Sequence, residues 1–497
     1  MKKILFIISC LAAIWGLSAQ SISWDNTTVK LKKYLFSPQW AANAKYIGSI
    51  DGTAYYAENL NRLQVFDLFG DTRFIFFATD GTRLVRESDV TDSKYEEIDL
   101  GVVGDRIFVS YSTTVKKEGR KDIKLDLYNP FTFEKEETEE LFSYYPLGKD
   151  SYFSFTKSEN SEFSAFIMVG KNPNTGYGTI ILKCFNKDFN EVWTHYHDYN
   201  GSGYPEIGDI FLSNTGELVF HLIVYENEKK KKIVSFDVIE FDASDSKLLS
   251  FQLHSAEMEL VDCKVGAYGG AHQYLCVCSQ SEKVFGFKVD FNNGSIDPVF
   301  TKEPYEGIWK IEQIVDLGNG KYTVALQNRG VVEIVVYRSG GAGSDRTYLY
   351  WYRSLQFIGL DSGNDKVVYD QTIGRKYNIF NKRYLNEPFT TASPYYFAKN
   401  GKLYVVYNTD PTTNEKESSK YETPSDRIKV GASKRTRNAL TKMIIFEGDG
   451  SYKVKTLVDE KQTKLFFLTR FCNFNDQGEL IVSMGKKKKM FFGKLKF

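Results

Sequence analysis

Past residue 20, the hydrophobic pattern of the chain is that of short strands separated by tight turns. Apolar runs such as Leu218-Val219-Phe220 follow polar turns, and no stretch keeps the period of an amphipathic helix. The same signature recurs at Asp51-Gly52-Thr53, Asn214-Thr215-Gly216-Glu217, Asn319-Gly320-Lys321, Asn400-Gly401-Lys402 and Asp476-Gln477-Gly478-Glu479. Asn-Gly and Asp-Gly accept the positive φ angles of two-residue turns, so these sites predict β-hairpins.

A second signature, an aromatic residue followed by a turn, repeats roughly every 50 residues. Its members are Phe66-Asp67, Tyr128-Asn129, Phe185-Asn186, Phe241-Asp242, Phe291-Asn292, Tyr337-Arg338, Phe380-Asn381 and Phe446-Glu447. In the clearest unit, four strands are predicted near 207–213, 217–225, 232–241 and 246–254, named A to D. Four short strands in such a period are typical of a propeller blade. The sequence therefore predicts an all-β protein, a β-propeller of about eight four-stranded blades, with a range of seven to nine.

The two ends of the chain predict that the ring is closed by N- and C-terminal strands. Residues 464–474, 479–485 and 488–497 supply three strands, whereas Thr28–Phe36 is an early strand without a unit of its own. Pairing Thr28–Phe36 with Met490–Phe497 would complete a blade and remove open sheet edges. The alternative architecture is two stacked β-domains, split at the linker-like residues 339–344.

The first 19 residues have the order of a secretory signal peptide. Lys2 and Lys3 precede the apolar stretch Ile4–Gly16, which is shorter than the ~20 residues of a membrane span. Cleavage is expected after Ala19, which leaves residues 20–497 as the propeller domain. A buried N-terminal helix and a lipoprotein anchored through Cys10 are the alternatives. We expect a protein without a transmembrane segment, located in the periplasm, at the outer membrane or outside the cell.

Charge is balanced over the whole chain but clustered locally. Removing Lys2 and Lys3 from 64 basic residues leaves 62 against 63 acidic residues, a net charge of −1. This balance predicts neither nucleic acid nor a membrane as the overall partner. Four basic clusters nevertheless follow strand B of their units, and B–C connections of antiparallel meanders leave a propeller on one face. The candidate residues of this basic face are Lys116, Lys117, Lys230, Lys231, Lys434, Arg435, Lys487 and Lys488.

Three interpretations of the basic face are open. The lysines improve solubility, or they bind an anionic partner at the cell envelope, such as an unknown protein, an acidic glycan or a lipid headgroup. Nucleic acid is disfavoured because stacking aromatic residues are not interleaved with the clusters. One cluster lies in the insertion at 408–440, which has few apolar residues and is expected to be flexible and the first site of proteolysis.

Residues that could perform catalysis or bind a metal are sparse in the sequence. No protease, P-loop or dinucleotide motif is present, so no catalytic residue, metal site or cofactor is predicted. His195 and His197 share one strand face, as two ligands of a metal would, but no third ligand accompanies them. Asp209, Asp262 and Asp316 lie on or just beyond predicted innermost strands. The predicted function is a non-enzymatic binding or assembly module, and the alternative is a glycan hydrolase or lyase with channel carboxylates.

Five cysteines remain after the expected cleavage, too few for a disulfide scaffold. Strands Met258–Gly266 and Gln273–Ser279 flank a Gly269-Gly270 turn, which predicts that Cys263 lies opposite or nearly opposite Cys276. Export favours oxidation. A Cys263–Cys276 disulfide and buried free thiols are therefore both open.

The string Phe185-Asn186-Lys187-Asp188-Phe189-Asn190-Glu191-Val192-Trp193 resembles hairpins of secreted bacterial propeller-like proteins that have no established role. The resemblance extends, as a repeat pattern, over most of the mature chain. It implies the propeller fold and identifies no functional residue. The dipeptides of WD40 repeats and the glycine pair of kelch repeats are not present in register.

Overall fold

The computed structural model describes most of the chain past residue 20, as short segments. These are residues 21–30, 45–59, 72–80, 84–92, 99–115, 117–146, 152–171, 178–199, 204–226, 233–251, 260–280, 283–303, 309–337, 344–381, 392–413, 416, 438–463, 466–486 and 489–496. The expected signal peptide and most of the insertion at 408–440 lie outside these residues.

Eight antiparallel sheets of four main strands, A to D, form the blades of one ring. Strands A to D of blade 1 are Lys45–Ile50, Thr53–Asn59, Thr72–Thr79 and Leu84–Asp92, and those of blade 2 are Asp99–Val103, Arg106–Val115, Arg120–Tyr128 and Lys135–Tyr144. Those of blade 3 are Tyr152–Lys157, Phe163–Lys171, Gly178–Asn186 and Glu191–Tyr199, and those of blade 4 are Tyr204–Leu212, Leu218–Tyr225, Ile233–Phe241 and Ser246–Ser250. The protein is an eight-bladed β-propeller. The predicted blade number is confirmed, and the two-domain alternative is wrong.

Blades 5 to 7 continue the same order, and blade 6 carries an additional strand. Strands A to D of blade 5 are Leu260–Ala267, Gln273–Gln280, Lys283–Asp290 and Ser295–Lys302. Those of blade 6 are Trp309–Gly318, Lys321–Tyr337, Ser344–Asp361 and Lys366–Ile373, with Tyr377–Asn381 as the additional strand. Those of blade 7 are Tyr395–Lys399, Lys402–Thr409, Leu440–Phe446 and Tyr452–Asp459. The linker-like residues 339–344 fall in the chain between the end of strand B at Tyr337 and the start of strand C at Ser344 of the same blade, so they do not separate domains.

Blade 8 contains both ends of the described chain. Strand A is split into Phe466–Phe467 and Asn473–Phe474, followed by Leu480–Lys486 as B and Lys489–Lys496 as C. Strand D is the N-terminal strand Ser21–Lys30, which pairs antiparallel with strand C from Ser21↔Lys496 to Lys30↔Lys489. Ring closure by the termini is therefore confirmed, although the N-terminal strand begins at Ser21 and not at Thr28. Residues 31–36 lie outside the described residues.

The turn chemistry explains connections between strands within a blade. Asn319 and Gly320 have φ angles of 55° and 71°, which only a turn-forming Asn-Gly pair accepts readily. Five of the aromatic-turn signatures, at Tyr128, Phe185, Phe241, Phe291 and Phe446, mark connections between strands C and D. The other signatures do not each mark a blade, because Tyr337 and Phe380 both belong to blade 6. Phe66 lies outside the described residues.

The core lies between the blades, where strands A to C of neighbours face each other. Leu182, Phe220 and Phe241, for example, belong to one buried cluster that joins blades 3 and 4. The described helices, Glu460–Thr463 and the 3₁₀ turn Thr469–Phe471, are short. Neither is long and apolar enough to cross a membrane.

Candidate functional site

The innermost strands A surround a central channel, and irregularities in three of them place acidic residues at its wall. The pairing of strands A and B shifts between Ile207 and Ile210 in blade 4, and between Leu260 and Asp262 in blade 5. A third shift lies between Ile311 and Gln313 in blade 6. Bulges of this kind redirect a side chain from its regular face. Asp209, Asp262 and Glu312 lie at these positions.

Asp209 and Asp262 each accept hydrogen bonds from strand A of the next blade. Asp209 Oδ1 accepts from Lys264 Nζ at 2.8 Å, and its Oδ2 accepts from the Val265 amide at 3.0 Å. Asp262 Oδ2 accepts from the Ile311 amide of blade 6 at 3.0 Å, and its Oδ1 accepts from Cys263 N at 3.1 Å. Both carboxylates therefore hold strands A of consecutive blades together.

The surroundings raise the pKa of both Asp262 and Lys264, for different reasons. Burial raises the pKa of the Asp262 carboxyl, against the opposing charges of Lys310 and Lys264. Burial disfavours the charge of Lys264, but the ion pair with Asp209 outweighs it and raises the pKa of this ammonium. The ammonium group of Lys264 is therefore charged at neutral pH.

Glu312 is a channel residue that the sequence did not single out. Its carboxylate lies 3.2 Å from Arg329 Nε, and burial raises its pKa against the charges of Arg329 and Arg375. A charged residue in the middle of a predicted innermost strand was the available signal. Asp316, which the sequence did single out, is exposed at the turn and accepts from the Gly318 amide at 2.7 Å.

The channel opens into two cavities that share Asp209 and Lys264. The larger has a volume of about 870 Å³ and reaches the A–B turns, with walls from strands A of blades 3 to 8. The smaller, about 240 Å³, lies between blades 4 and 5 and includes Glu206, Tyr225 and Asp262. The ion pair of Asp209 and Lys264 therefore lies at the boundary between the two spaces.

The bounds of the strands show where the four basic clusters fall in the chain order. In blades 2, 4, 7 and 8 they fall between the end of strand B and the start of strand C. Because every strand B runs in the same direction, these connections share a face, here named the B–C face. Lys117 is described and is exposed. The other candidates lie outside the described residues, namely Lys116, Lys230, Lys231, Lys434, Arg435, Lys487 and Lys488.

On the opposite face, named the A–B face, the first residue of strand B is neutralised in three blades. Arg106 Nη1 lies 3.0 Å from Glu137 Oε2 in blade 2. Lys402 Nζ lies 2.8 Å from Glu447 Oε1 in blade 7, and Lys321 pairs with Asp361 in blade 6. Each carboxylate comes from the same blade as its basic partner. The three positions therefore add no unbalanced positive charge to the A–B face.

The paired histidines of blade 3 pack against blade 4. His195 Nε2 lies 2.6 Å from the Asp242 carbonyl oxygen, and both imidazoles contact the Phe241 ring. Within the described part of the chain, no group of three His, Cys, Asp or Glu side chains has the arrangement of a metal site. The two side chains thus contribute to the contact between blades.

The cysteine register differs from the prediction. Cys263 pairs directly with Cys278, whereas Cys276 lies opposite Val265. The Gly269-Gly270 turn is followed by Ala271 and His272 before strand B begins, and this longer connection moves the register by two residues. Cys184, Cys263, Cys276, Cys278 and Cys472 are buried free thiols.

Comparisons with known proteins relate the chain to others through its fold. No protein-family model and no curated protein matches it. Among solved structures, the WD40 domain of SCAP from fission yeast aligns over 96% of this chain and 98% of its own, with 10% identity and a TM-score of 0.41. Sqt1 of Saccharomyces cerevisiae aligns over 95% and 98%, with 9% identity and a TM-score of 0.39. The uncharacterised protein lmo1340 of Listeria monocytogenes aligns over 80% and 94%, with 10% identity and a TM-score of 0.34.

Proposed function

We propose that this protein is a non-enzymatic binding or assembly module, exported to the bacterial cell envelope, that engages an anionic partner through the B–C face. The partner is an acidic glycan, an anionic lipid headgroup or an acidic protein surface. The order of residues 1–19 supports export to the periplasm, the outer membrane or the medium.

The observation that carries the proposal is the difference between the two faces. In the sequence, clusters of Lys and Arg fall between strands B and C of blades 2, 4, 7 and 8, which supports a basic B–C face. On the A–B face, Arg106, Lys321 and Lys402 each have a carboxylate partner. A rigid face with positive charges from several blades raises the local concentration of anions and accelerates their association.

The engagement of the channel carboxylates supports binding over hydrolysis. A glycosidase uses two carboxyl groups that act on the scissile bond. Both oxygens of Asp209 and both oxygens of Asp262 accept hydrogen bonds from neighbouring backbone or lysine groups. These bonds hold strands A of neighbouring blades together, so both carboxyl groups are occupied by structural contacts within the ring.

The test is charge reversal on the B–C face. Lys230, Lys231, Lys487 and Lys488 are changed together to Glu, and retention of the folded protein on a phosphorylated matrix is measured along a salt gradient. We expect the variant to lose retention and the wild-type protein to elute earlier as salt rises, since exposed charges are screened within roughly 8–10 Å at 0.1–0.15 M ionic strength.

The matched control makes the same change in net charge, four lysines to Glu, on the A–B face. It reverses Lys321, Lys366, Lys402 and Lys453, of which Lys366 and Lys453 are exposed at the start of strands D. This variant should keep most of the retention. Equal losses from both variants, or retention that does not respond to salt, would assign the lysines to solubility alone.

A further inference from the structure

The larger channel cavity has the size of a ligand site. Its volume of about 870 Å³ falls in the range of roughly 300–1,000 Å³ that small-molecule pockets occupy. It opens among the A–B turns, on the face opposite the basic clusters. A ligand there would be independent of a partner on the B–C face.

Four acidic residues at the wall of this cavity already have partners. Asp209 binds Lys264 and the Val265 amide. Glu217 accepts from Thr215 Oγ1 at 2.5 Å and also from Ser213. Glu312 lies against Arg329, and Asp316 accepts from the Gly318 amide. Glu159 is exposed on the A–B turn of blade 3, where water solvates it.

Lys157 is the exception among these charged groups. It ends strand A of blade 3 and lines the cavity. No side chain or carbonyl among the described residues forms a hydrogen bond or an ion pair with its ammonium group. Burial lowers the pKa of Lys157, and the opposing charge is Asp476 of blade 8, whose Oδ1 accepts from the Gly52 amide at 2.7 Å. A half-buried ammonium without a partner is costly, and a bound anion would remove that cost.

The wall opposite Lys157 is aromatic. In a ring of eight blades, blade 7 faces blade 3, and its strand A contributes Tyr395 to the cavity, with Phe474 from blade 8 beside it. Phe397 connects them, with ring centroids 5.7 Å from Tyr395 and 5.3 Å from Phe474. Tyr395 and Phe474 pack on the core between blades 7 and 8, and the half-buried rings leave part of their surface for a ligand at the cavity lining.

The remaining cavity residues provide hydrogen-bonding groups. Asn214, Thr215 and Gln313 are exposed at the lining, and Asn473 is half-buried. Amide and hydroxyl groups of this kind donate to and accept from the hydroxyl groups of a sugar. An aromatic carboxylic acid would use the cation and the rings but would not engage these polar groups.

We propose that the channel binds an acidic saccharide, with its carboxylate at Lys157 and a sugar ring against Tyr395 and Phe474. The side-chain amides of Gln313 and Asn473 donate to and accept from its hydroxyl groups, and Asn214 donates through Nδ2, because its Oδ1 already accepts from the Asn160 amide. The proposal concerns a second site and does not depend on the basic B–C face.

The test compares wild-type protein with Lys157→Gln by isothermal titration calorimetry. The probes are a dimer of galacturonic acid, the neutral galactose dimer of the same linkage, and benzoate as an aromatic acid. We expect the wild-type protein to bind the acidic dimer, and Lys157→Gln to weaken that binding about tenfold or more, the value of one hydrogen bond to a charged group.

A matched control and a fold measurement make each outcome decisive. Lys187→Gln removes an exposed lysine from the same blade and the same face, outside the channel, and should bind like wild type. Lys157→Gln should melt at or above the wild-type temperature, because it removes a buried unpaired charge. The proposal would be overturned if the wild-type protein did not bind the acidic dimer, bound the neutral dimer equally well, or bound benzoate alone. It would also be overturned if Lys157→Gln bound the acidic dimer as tightly as wild type. Reversal of the B–C face lysines should leave this binding intact, so the two proposals fail separately.

Discussion

At the scale of single residues, the most unusual group is the imidazole of His221. Its side chain is fully buried on strand B of blade 4, and its ring stacks on Phe236 with centroids 5.3 Å apart. Neither ring nitrogen has a hydrogen-bond partner among the described residues. Burial, with a smaller effect of Lys264, lowers the pKa of His221 to about 3. The ring is therefore neutral in the folded protein at every physiological pH.

This histidine makes stability depend on pH. An unfolded histidine has a pKa near 6.5, so between about pH 6.5 and pH 3 the unfolded chain binds a proton that the folded protein does not. Stability from this group is present above that window and is lost as pH falls, by about 1.4 kcal/mol per pH unit. Urea unfolding of wild type and His221→Phe at pH 7, 5.5 and 4 measures how much of the free energy of unfolding each protein loses on acidification. The variant should lose less stability on acidification, and parallel losses would contradict the assignment.

At the scale of elements, blade 6 departs from the repeat. Its strands B and C, Lys321–Tyr337 and Ser344–Asp361, run far beyond those of other blades, and the added strand Tyr377–Asn381 pairs with the extension. Arg375, fully buried, donates from Nε to the Asn408 carbonyl at 2.9 Å and from Nη2 to the Ala392 carbonyl. One guanidinium therefore joins the extension of blade 6 to blade 7.

Two cysteines offer a cross-link between strands A and B of blade 5. Cys263 and Cys278 are direct partners in the antiparallel ladder, where Cα atoms lie about 4.5–5.5 Å apart. This range meets the requirement for a disulfide. We expect the protein recovered from an oxidising compartment to contain a Cys263–Cys278 bridge, formed by exchange with a disulfide oxidant that takes up both electrons.

Alkylation of the denatured protein without reductant, followed by mass spectrometry of the peptides, measures this bridge, because all five cysteines are buried in the folded protein. Cys184, Cys276 and Cys472 should be modified, and Cys263 and Cys278 should appear as one linked pair. Cys276→Ser is the matched control and should leave the pair linked, whereas Cys278→Ser should free Cys263. Five alkylated thiols in wild type, or a link to Cys276, would refute the expected pairing.

At the scale of the whole molecule, the seam between blade 8 and blade 1 closes the ring. Tyr56 Oη donates to the Phe471 carbonyl at 2.8 Å, and Asn475 Nδ2 donates to the Gly52 carbonyl at 3.1 Å. The buried ring of Phe492, on strand C of blade 8, lies 6.1 Å from Tyr56 and 6.4 Å from Phe77. Residues more than 400 positions apart in sequence thus share one core.

Deletion of residues 491–497 should lower the melting temperature sharply, because it removes most of the strand that pairs with Ser21–Lys30 and also removes Phe492. Phe492→Ala keeps the backbone pairing and should cost about 3–5 kcal/mol, as large-to-small changes in cores do. Removal of Phe497 alone is the control, since it keeps all of the described pairing of Lys489–Lys496. Calorimetric scans check all three. Equal melting of wild type and the 491–497 deletion would show that the ring does not need this strand.

The local pattern was sufficient for the propeller because each blade is built from neighbouring strands. Tight turns such as Asn319-Gly320 and the aromatic ends of strands C are short-range signals, and antiparallel meanders follow from them. The position of the basic clusters between strands B and C was readable for the same reason. Blade 6 was misassigned because the signatures at Tyr337 and Phe380 resemble those of separate blades, and only the long pairing of its strands shows that they belong together.

Strand content and the repeat of four-stranded units follow from the order of residues alone, since they depend on turn propensity and on alternation along the chain. The positions of the side chains in the channel do not follow from the order of residues. Asp209, Glu312 and Lys157 reach one cavity from three different blades, and their partners are set by bulges of one residue and by the curvature of the ring. A shift of two residues likewise decides that Cys263 faces Cys278. Such placements depend on contacts between distant segments, which local sequence does not encode.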